Sequence, residues 1–126
     1  MTPDDRKYTK EHEWIKMDGK IGVVGITEFA QGELGDIVFL DLPRVGAKIE
    51  RMKAFGSVEA VKTVSDLYAP VSGTIVAVNE SLVSAPDLVN TDPYGEGWMV
   101  RIELANPSEA ASLISADDYK KHIGVH

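Results

Sequence analysis

Lys62 is the only basic residue between Lys53 and Arg101, an interval that also carries Glu59, Asp66, Glu80, Asp87, Asp92 and Glu96. A lone cation among acids is ordinarily a surface lysine in weak ion pairs, here with Glu59 or Asp66, each worth about 0–1 kcal/mol. The flanks of Lys62 favour a different use. Apolar, strand-like runs lie on either side, Phe55 to Val61 and Leu67 to Val71, and the intervening Lys62-Thr63-Val64-Ser65-Asp66 can turn the chain. That pattern predicts a lysine at the tip of a hairpin with its ε-amine in solvent. Such an amine suits acylation by a second enzyme and then transport of a long arm between active sites. With no other lysine nearby, a modifying enzyme has one target. A general-base or Schiff-base lysine instead needs burial or neighbouring cations, and nearby acids act in the opposite sense. Lys62 therefore reads as a substrate for modification, with a catalytic base as the rival reading.

Other reactive residue types offer less. In Glu11-His12-Glu13-Trp14 the side chains alternate faces if the segment is extended, so His12 and its flanking acids do not converge on a metal. His122 and His126 read as surface helix and tail residues, and Trp14 and Trp98 as core. Ser57, Ser65 and Ser72 have no recognisable histidine partner for a nucleophilic triad. The glycine-rich loops lack the phosphate-loop pattern and its lysine. There is no cysteine, which removes disulfides, thiolate metal sites and thiol nucleophiles.

The elements that would position Lys62 are mostly short strands. Glu13 to Met17 and Ile21 to Ile26 flank Asp18-Gly19, a hairpin pattern. Ile37 to Leu42 is a strand stopped by Pro43; Phe55 to Val64, Gly73 to Val78 and Trp98 to Leu104 complete the set. Thr27 caps a brief helix through Glu33, closed by Gly35. Asn106-Pro107-Ser108-Glu109 and Ser115-Ala116-Asp117-Asp118 each open a short C-terminal helix, the second stopped by Gly124. A faint echo, Gly35-Asp36-Ile37-Val38 answered by Gly73-Thr74-Ile75-Val76, points to two related β halves. Each copy is followed by a turn region, Pro43 to Ile49 and Leu82 to Leu88, and the halves would be joined by Lys62 to Tyr68.

With 126 residues the chain is expected to form one domain, a β core over about 8–104 and a helical segment over about 106–123. It is long enough to bury roughly two-thirds of its unfolded surface. A formal net charge of −7 argues against general binding to nucleic acid or anionic membrane, since both require a basic footprint. No stretch approaches the roughly 20 apolar residues of a membrane-spanning helix. Met1-Thr2-Pro3-Asp4-Asp5 is neither a secretory signal nor an Arg-rich presequence. The expected location is a bacterial cytoplasm, or a mitochondrial matrix if the chain is a trimmed mature form.

Several motifs together resemble one family. The run Gly56-Ser57-Val58-Glu59-Ala60-Val61-Lys62-Thr63-Val64-Ser65-Asp66-Leu67-Tyr68-Ala69-Pro70-Val71-Ser72-Gly73 resembles the lipoylation segment of the glycine cleavage H-protein family. Tyr8 to Trp14 is similar to that family's opening strand. Gly25-Ile26-Thr27 with Ala30-Gln31, Leu34 to Val38, and Asn90 to Trp98 are similar as well, so the resemblance runs from about Tyr8 to Tyr119. It implies a mainly β barrel-sandwich hybrid with two quasi-symmetric halves, and lipoate in amide linkage to Lys62. Biotin carriers usually place Met on both sides of the lysine, where Val61 and Thr63 stand here.

The resemblance further implies a non-catalytic carrier. Its arm would take an aminomethyl group from glycine decarboxylase to an aminomethyltransferase and then be reoxidised by dihydrolipoyl dehydrogenase. A lipoate ligase or a lipoyl or octanoyl transferase would load it. By the same carry-over, Glu13 and Asp66 would hold the aminomethyl group in a cleft, the bland reading of each being a solvated surface acid. Where the family often has Asp-His before Ala-Gln, this chain has Glu28-Phe29. An alternative within the same chemistry is a lipoyl reservoir that supplies other complexes.

Overall fold

In the computed structural model, which describes residues 2–124, nine strands form two open sheets. The strands are β1 (Lys7–Tyr8), β2 (Glu13–Asp18), β3 (Ile21–Ile26), β4 (Ile37–Asp41), β5 (Lys48–Ile49), β6 (Ala54–Ala60), β7 (Val64–Tyr68), β8 (Gly73–Val78) and β9 (Val100–Leu104). The larger sheet runs β1-β2-β3-β9-β8-β5 and the smaller β4-β6-β7, all neighbours antiparallel. Neither closes into a barrel.

The alternation of buried and exposed residues explains the sandwich. Val100, Ile102 and Leu104 point inward from β9 while Arg101 and Glu103 face water. Ile15, Val24, Ile75, Val100 and Ile102 from the larger sheet meet Ile37, Val58, Ala60 and Leu67 from the smaller in one shared core. Each fully buried aliphatic side chain there stabilises the fold by roughly 1.5–3 kcal/mol relative to exposure. A second cluster joins Tyr8, Trp14, Ala116 and Tyr119 at the N-terminal edge, with the Tyr8 and Tyr119 rings stacked 4.9 Å apart.

Several expectations are corrected. The β2–β3 loop is Gly19-Lys20, because Asp18 pairs with Ile21; Gly19 supplies the positive φ, +63°, that the first loop residue of a type II′ turn requires. The return strand after Lys62 begins at Val64, three residues earlier than Leu67, so the hairpin turn is shorter than the sequence pattern implied. Lys62 to Tyr68 does not join two halves. It is the tip and return strand of one hairpin, and the chain crosses between sheets at residues 69–72. The echoed segments do occupy comparable places, β4 beside β6 and β8 beside β9, yet the sheets are unequal, three strands against six. Leu82 to Leu88, read only as turn, contributes to α2 (Ser81–Ser84) and α3 (Leu88–Thr91), which bury Leu82 and Val89.

The helix caps agree with expectation more closely. α1 (Glu28–Leu34) is capped by Thr27, whose Oγ1 accepts from the Ala30 N–H at 3.2 Å. The first C-terminal helix is a 3₁₀ turn, Pro107–Ser112, and the second is α4 (Ala116–His122), capped by Ser115. Glu109 does not close a capping box on Asn106. Its carboxylate accepts instead from the N–H and Oγ of Ser72, at 2.8 and 3.1 Å, and fastens the 3₁₀ turn to the sheet crossing. His126 lies outside the described residues. Among them, no helix is long and apolar enough to cross a membrane.

Candidate functional site

Lys62 stands at the tip of the β6–β7 hairpin, as expected. The Ala60 N–H donates to the Thr63 carbonyl at 2.7 Å and closes the turn, leaving Val61 and Lys62 at its apex. Val61 to Val64 are all exposed. A second bond, from the Val61 N–H to the Asp36 carbonyl at 3.1 Å, ties the apex to the connection between α1 and β4. The side chain of Lys62 has no hydrogen-bond or ion-pair partner among the described residues. The pairs with Glu59 or Asp66 that proximity in sequence allows do not form. An amine so placed is free to enter another protein's active site.

Glu13 and Asp66 are brought together. Both line a cleft of about 470 Å³ whose other walls include His12, Phe29, Ser65 and Leu67. Asp66 is exposed on β7, the edge strand of the smaller sheet, opposite Ser57 of β6. Glu13 begins β2 and is only 2 % exposed, so the reading of a solvated surface acid is wrong for it. Its Oε1 accepts from Thr9 Oγ1 at 2.7 Å and its Oε2 from the Tyr68 N–H at 3.4 Å. A smaller cavity of about 160 Å³, walled by Tyr8, Arg51, Tyr68 and Ser112, also reaches Glu13. Burial pushes the Glu13 carboxyl up to about 8, against the opposing effect of the bonds from Thr9 and Tyr68. An empty cleft therefore favours the protonated acid at neutral pH, and a cation entering it favours the carboxylate.

His12 departs from the expected extended geometry. It has φ +72° and lies just before β2, so alternation along a strand does not govern its side chain. Its Nδ1 is 2.8 Å from the hydroxyl of Tyr119, which is in turn 2.7 Å from Thr27 Oγ1. Its ring also meets that of Phe29 at 5.0 Å. Burial, and then the neighbouring His122, lower its pKa and favour neutral imidazole. Sequence reasoning missed this cluster because its members are 107 and 92 residues apart and carry no local pattern. Trp14 is core as expected, with Nε1 donating to the carbonyls of Ile26 and Pro93, both at 3.0 Å. Trp98 is half-buried and lies under the Arg101 guanidinium, 4.3 Å from its ring centre.

A lipoyl group fits these features. The amine of Lys62 would supply an attachment point, and the nearby cleft combines apolar walls from Phe29, Leu34 and Leu67 with the acidic side chains Glu11, Glu13, Glu33 and Asp66, which suit an ammonium. Lys62 is four residues from Asp66, at most about 14 Å along an extended strand.

Comparison with known proteins agrees with this geometry. The family model described as glycine cleavage H-protein matches residues 6–125. A glycine cleavage system H protein of Carboxydothermus hydrogenoformans is 57% identical over 121 residues, covering 96% of this chain and 93% of that protein. One of Staphylococcus carnosus is 55% identical over 122 residues, covering 97% of each. The crystal structure of a glycine cleavage system H protein from Mycobacterium marinum superposes with a TM-score of 0.91 at 41% identity, covering 98% of this chain and 99% of that one. Its two-sheet, lipoyl-domain-like sandwich is the architecture found here, and the chain belongs to the glycine cleavage H-protein family.

Proposed function

We propose that this chain is the lipoyl-bearing carrier of a glycine cleavage system, with lipoate amide-linked to Lys62. The observation that carries the reading is a solvent-exposed lysine without a hydrogen-bond or ion-pair partner among the described residues, at a hairpin tip beside a cleft that unites Glu13 and Asp66. Loading requires only that the Lys62 amine attack an activated acyl carbonyl, expel the activating group and lose a proton. Once bound, lipoate supplies the dithiolane that accepts, carries and releases the aminomethyl group. The chain's own residues act by position. Lys62 anchors and gives reach, Glu13 and Asp66 face the ammonium of the loaded arm, and Phe29 and Leu67 shield it from water. Tethering makes each encounter with a partner partly intramolecular and so raises the effective concentration.

In this reading the chain holds no catalytic residue and folds as one domain. Its partners are glycine decarboxylase, the aminomethyltransferase, dihydrolipoyl dehydrogenase and a lipoate ligase or lipoyl or octanoyl transferase, and it works in a bacterial cytoplasm. Family membership does not favour the alternative of a lipoyl reservoir. Incubation with lipoate, ATP and lipoate ligase should raise the intact mass by one lipoyl group, mapped to the peptide containing Lys62. The lipoylated protein should then accept aminomethyl from labelled glycine in the presence of glycine decarboxylase. Modification at a different lysine, or no acceptance by the modified protein, would overturn the proposal.

A further inference from the structure

Asn90 lies in α3, in the run from Asn90 to Trp98 that belongs to the resemblance but has no part in the proposed arm chemistry. Its Oδ1 accepts from the Ile37 N–H at 2.9 Å, and its Nδ2 donates to the Gly35 carbonyl at 2.8 Å and to Gln31 Oε1 at 2.9 Å. The orientation of the amide follows from its partners: exchanging N and O would set a donor against the Ile37 N–H and an acceptor against the Gly35 carbonyl. Between those two backbone groups sits Asp36, whose carbonyl accepts from the Val61 N–H at 3.1 Å. Val61 immediately precedes Lys62. The same connection continues into the ladder pair of Ile37 with Ala60.

The Gly35–Ile37 connection has little means of keeping this shape alone. Gly35 has φ +85° and ψ −156°, a conformation open essentially to glycine only, and glycine has more backbone freedom to lose than other residues. Asn90 bridges both sides of Asp36 and removes that freedom. Among the described residues, the backbone hydrogen bonds at the hairpin apex past Ala60 are its own closing bond and the bond to Asp36, and Val61 to Val64 face solvent.

We propose that Asn90 is a positioning residue for Lys62: its carboxamide locks the Gly35–Ile37 connection so that the Asp36 carbonyl grips Val61 and sets the direction in which the lysine leaves the hairpin. The inference rests on the reading of Lys62 as the modified lysine, yet the hydrogen bonds of the Asn90 side chain go to Gln31, Gly35 and Ile37, none of which lines the cleft.

The test compares the wild type, Asn90→Ala and a control, Glu109→Gln. The control weakens the bond to Ser72, in the sheet crossing just before β8. Two quantities are measured: hydrogen exchange of the Val61 amide, and kcat/KM for modification by lipoate ligase with lipoate and ATP. In Asn90→Ala the Val61 amide should exchange at least about tenfold faster, with the amides of Ile75 and Ile102 unchanged relative to the control. Modification should slow by about tenfold, mainly through kcat, since a displacement of about 1 Å at a reacting group costs up to about 100-fold. Glu109→Gln should match the wild type in both. Unaltered Val61 exchange in Asn90→Ala, or an equal acceleration in Glu109→Gln, overturns the inference. If Asn90→Ala does not fold, Asn90→Asp carries the same test, because it keeps the acceptor for Ile37 and loses the donor to Gly35. A wild type that is never modified at Lys62 would instead sink the lipoyl reading, and the Val61 exchange would still decide whether Asn90 holds the tip.

Discussion

Lys62 and Glu13 are the two ionisable groups on which the carrier reading turns, and their surroundings are opposite. Lys62 is exposed, has no partner among the described residues, and sits on a turn closed by one backbone bond. Glu13 is buried, receives hydrogen bonds from Thr9 and Tyr68, and lies between two cavities. The anchor needs access and no tuning. The acid needs a desolvated setting in which an ammonium is worth more than it is in water. A carrier thus separates reach from recognition, placing the first on a tip and the second in the fold.

The largest effect should come from the tip. Lys62→Arg retains the charge but removes the acylatable amine, so lipoylation measured by intact mass should vanish. Stability should stay within about 0.5 kcal/mol of wild type, as for other exposed substitutions without a partner. A lipoyl adduct on Lys62→Arg would break the contrast at once.

The buried acid should reveal itself through pH. The folded-state pKa of Glu13 is raised from 4.5 to about 8, chiefly by burial, so the native state binds more protons than the unfolded state between those values. Stability from this group is therefore complete below about pH 4.5 and is lost as pH rises toward about 8. His12, which faces the same cleft, is shifted the other way and loses stability as pH falls. Comparison with Glu13→Gln isolates the acid: denaturant midpoints should coincide near pH 4.5 and the Gln variant should become the more stable by pH 8. Parallel curves would mean that Glu13 ionises at the same pKa in the folded and unfolded chain and differs from Lys62 less than its burial implies.

The contrast between these sites also explains what could be read from the sequence. Lys62 was legible because its setting is local: a lone cation between two strand runs, within a contiguous motif. The caps at Thr27, Asn106 and Ser115 were legible for the same reason, since each bond spans two or three residues. Glu13 was singled out by the resemblance alone. Its burial depends on Tyr68, 55 residues away, and on the second sheet. Asn90, the Glu109–Ser72 bond and the Tyr119 cluster likewise exist only after long-range packing, and no periodicity encodes them. The same limit applies to the helices at Ser81–Ser84 and Leu88–Thr91, one turn each and too short for a 3.6-residue pattern to show.

Tyr119 gives a smaller and more local test of the recognition side. Burial pushes its phenol up to about 12, so the hydroxyl stays neutral and joins Thr27 Oγ1 to His12 Nδ1. Tyr119→Phe should cost about 1 kcal/mol in chemical denaturation, the usual net worth of a lost hydrogen bond, since Thr27 Oγ1 keeps its bond from the Ala30 N–H. Because His12 precedes Glu13 and is held at φ +72°, the same variant should weaken retention of the loaded arm while leaving lipoylation of Lys62 unchanged. Equal losses in both would merge the two sites that the comparison keeps apart.

The smallest effect belongs to Asp66, which shares features of both regions. It lines the cleft with Glu13 yet is exposed on an edge strand, four residues from Lys62. Water screens a carboxylate so placed, and its attraction for an ammonium is of the order of a surface pair, about 0–1 kcal/mol. Asp66→Asn should therefore leave folding within about 0.5 kcal/mol of wild type and accelerate loss of the aminomethyl group from the loaded arm only a few-fold. Glu13→Gln, which removes a desolvated partner, should accelerate that loss more. The two rates can be followed in one experiment by formaldehyde release from the isolated, loaded protein. If Asp66→Asn proved the more damaging, recognition would lie at the solvent-facing rim of the cleft, and the buried acid would serve to hold β2 against Tyr68.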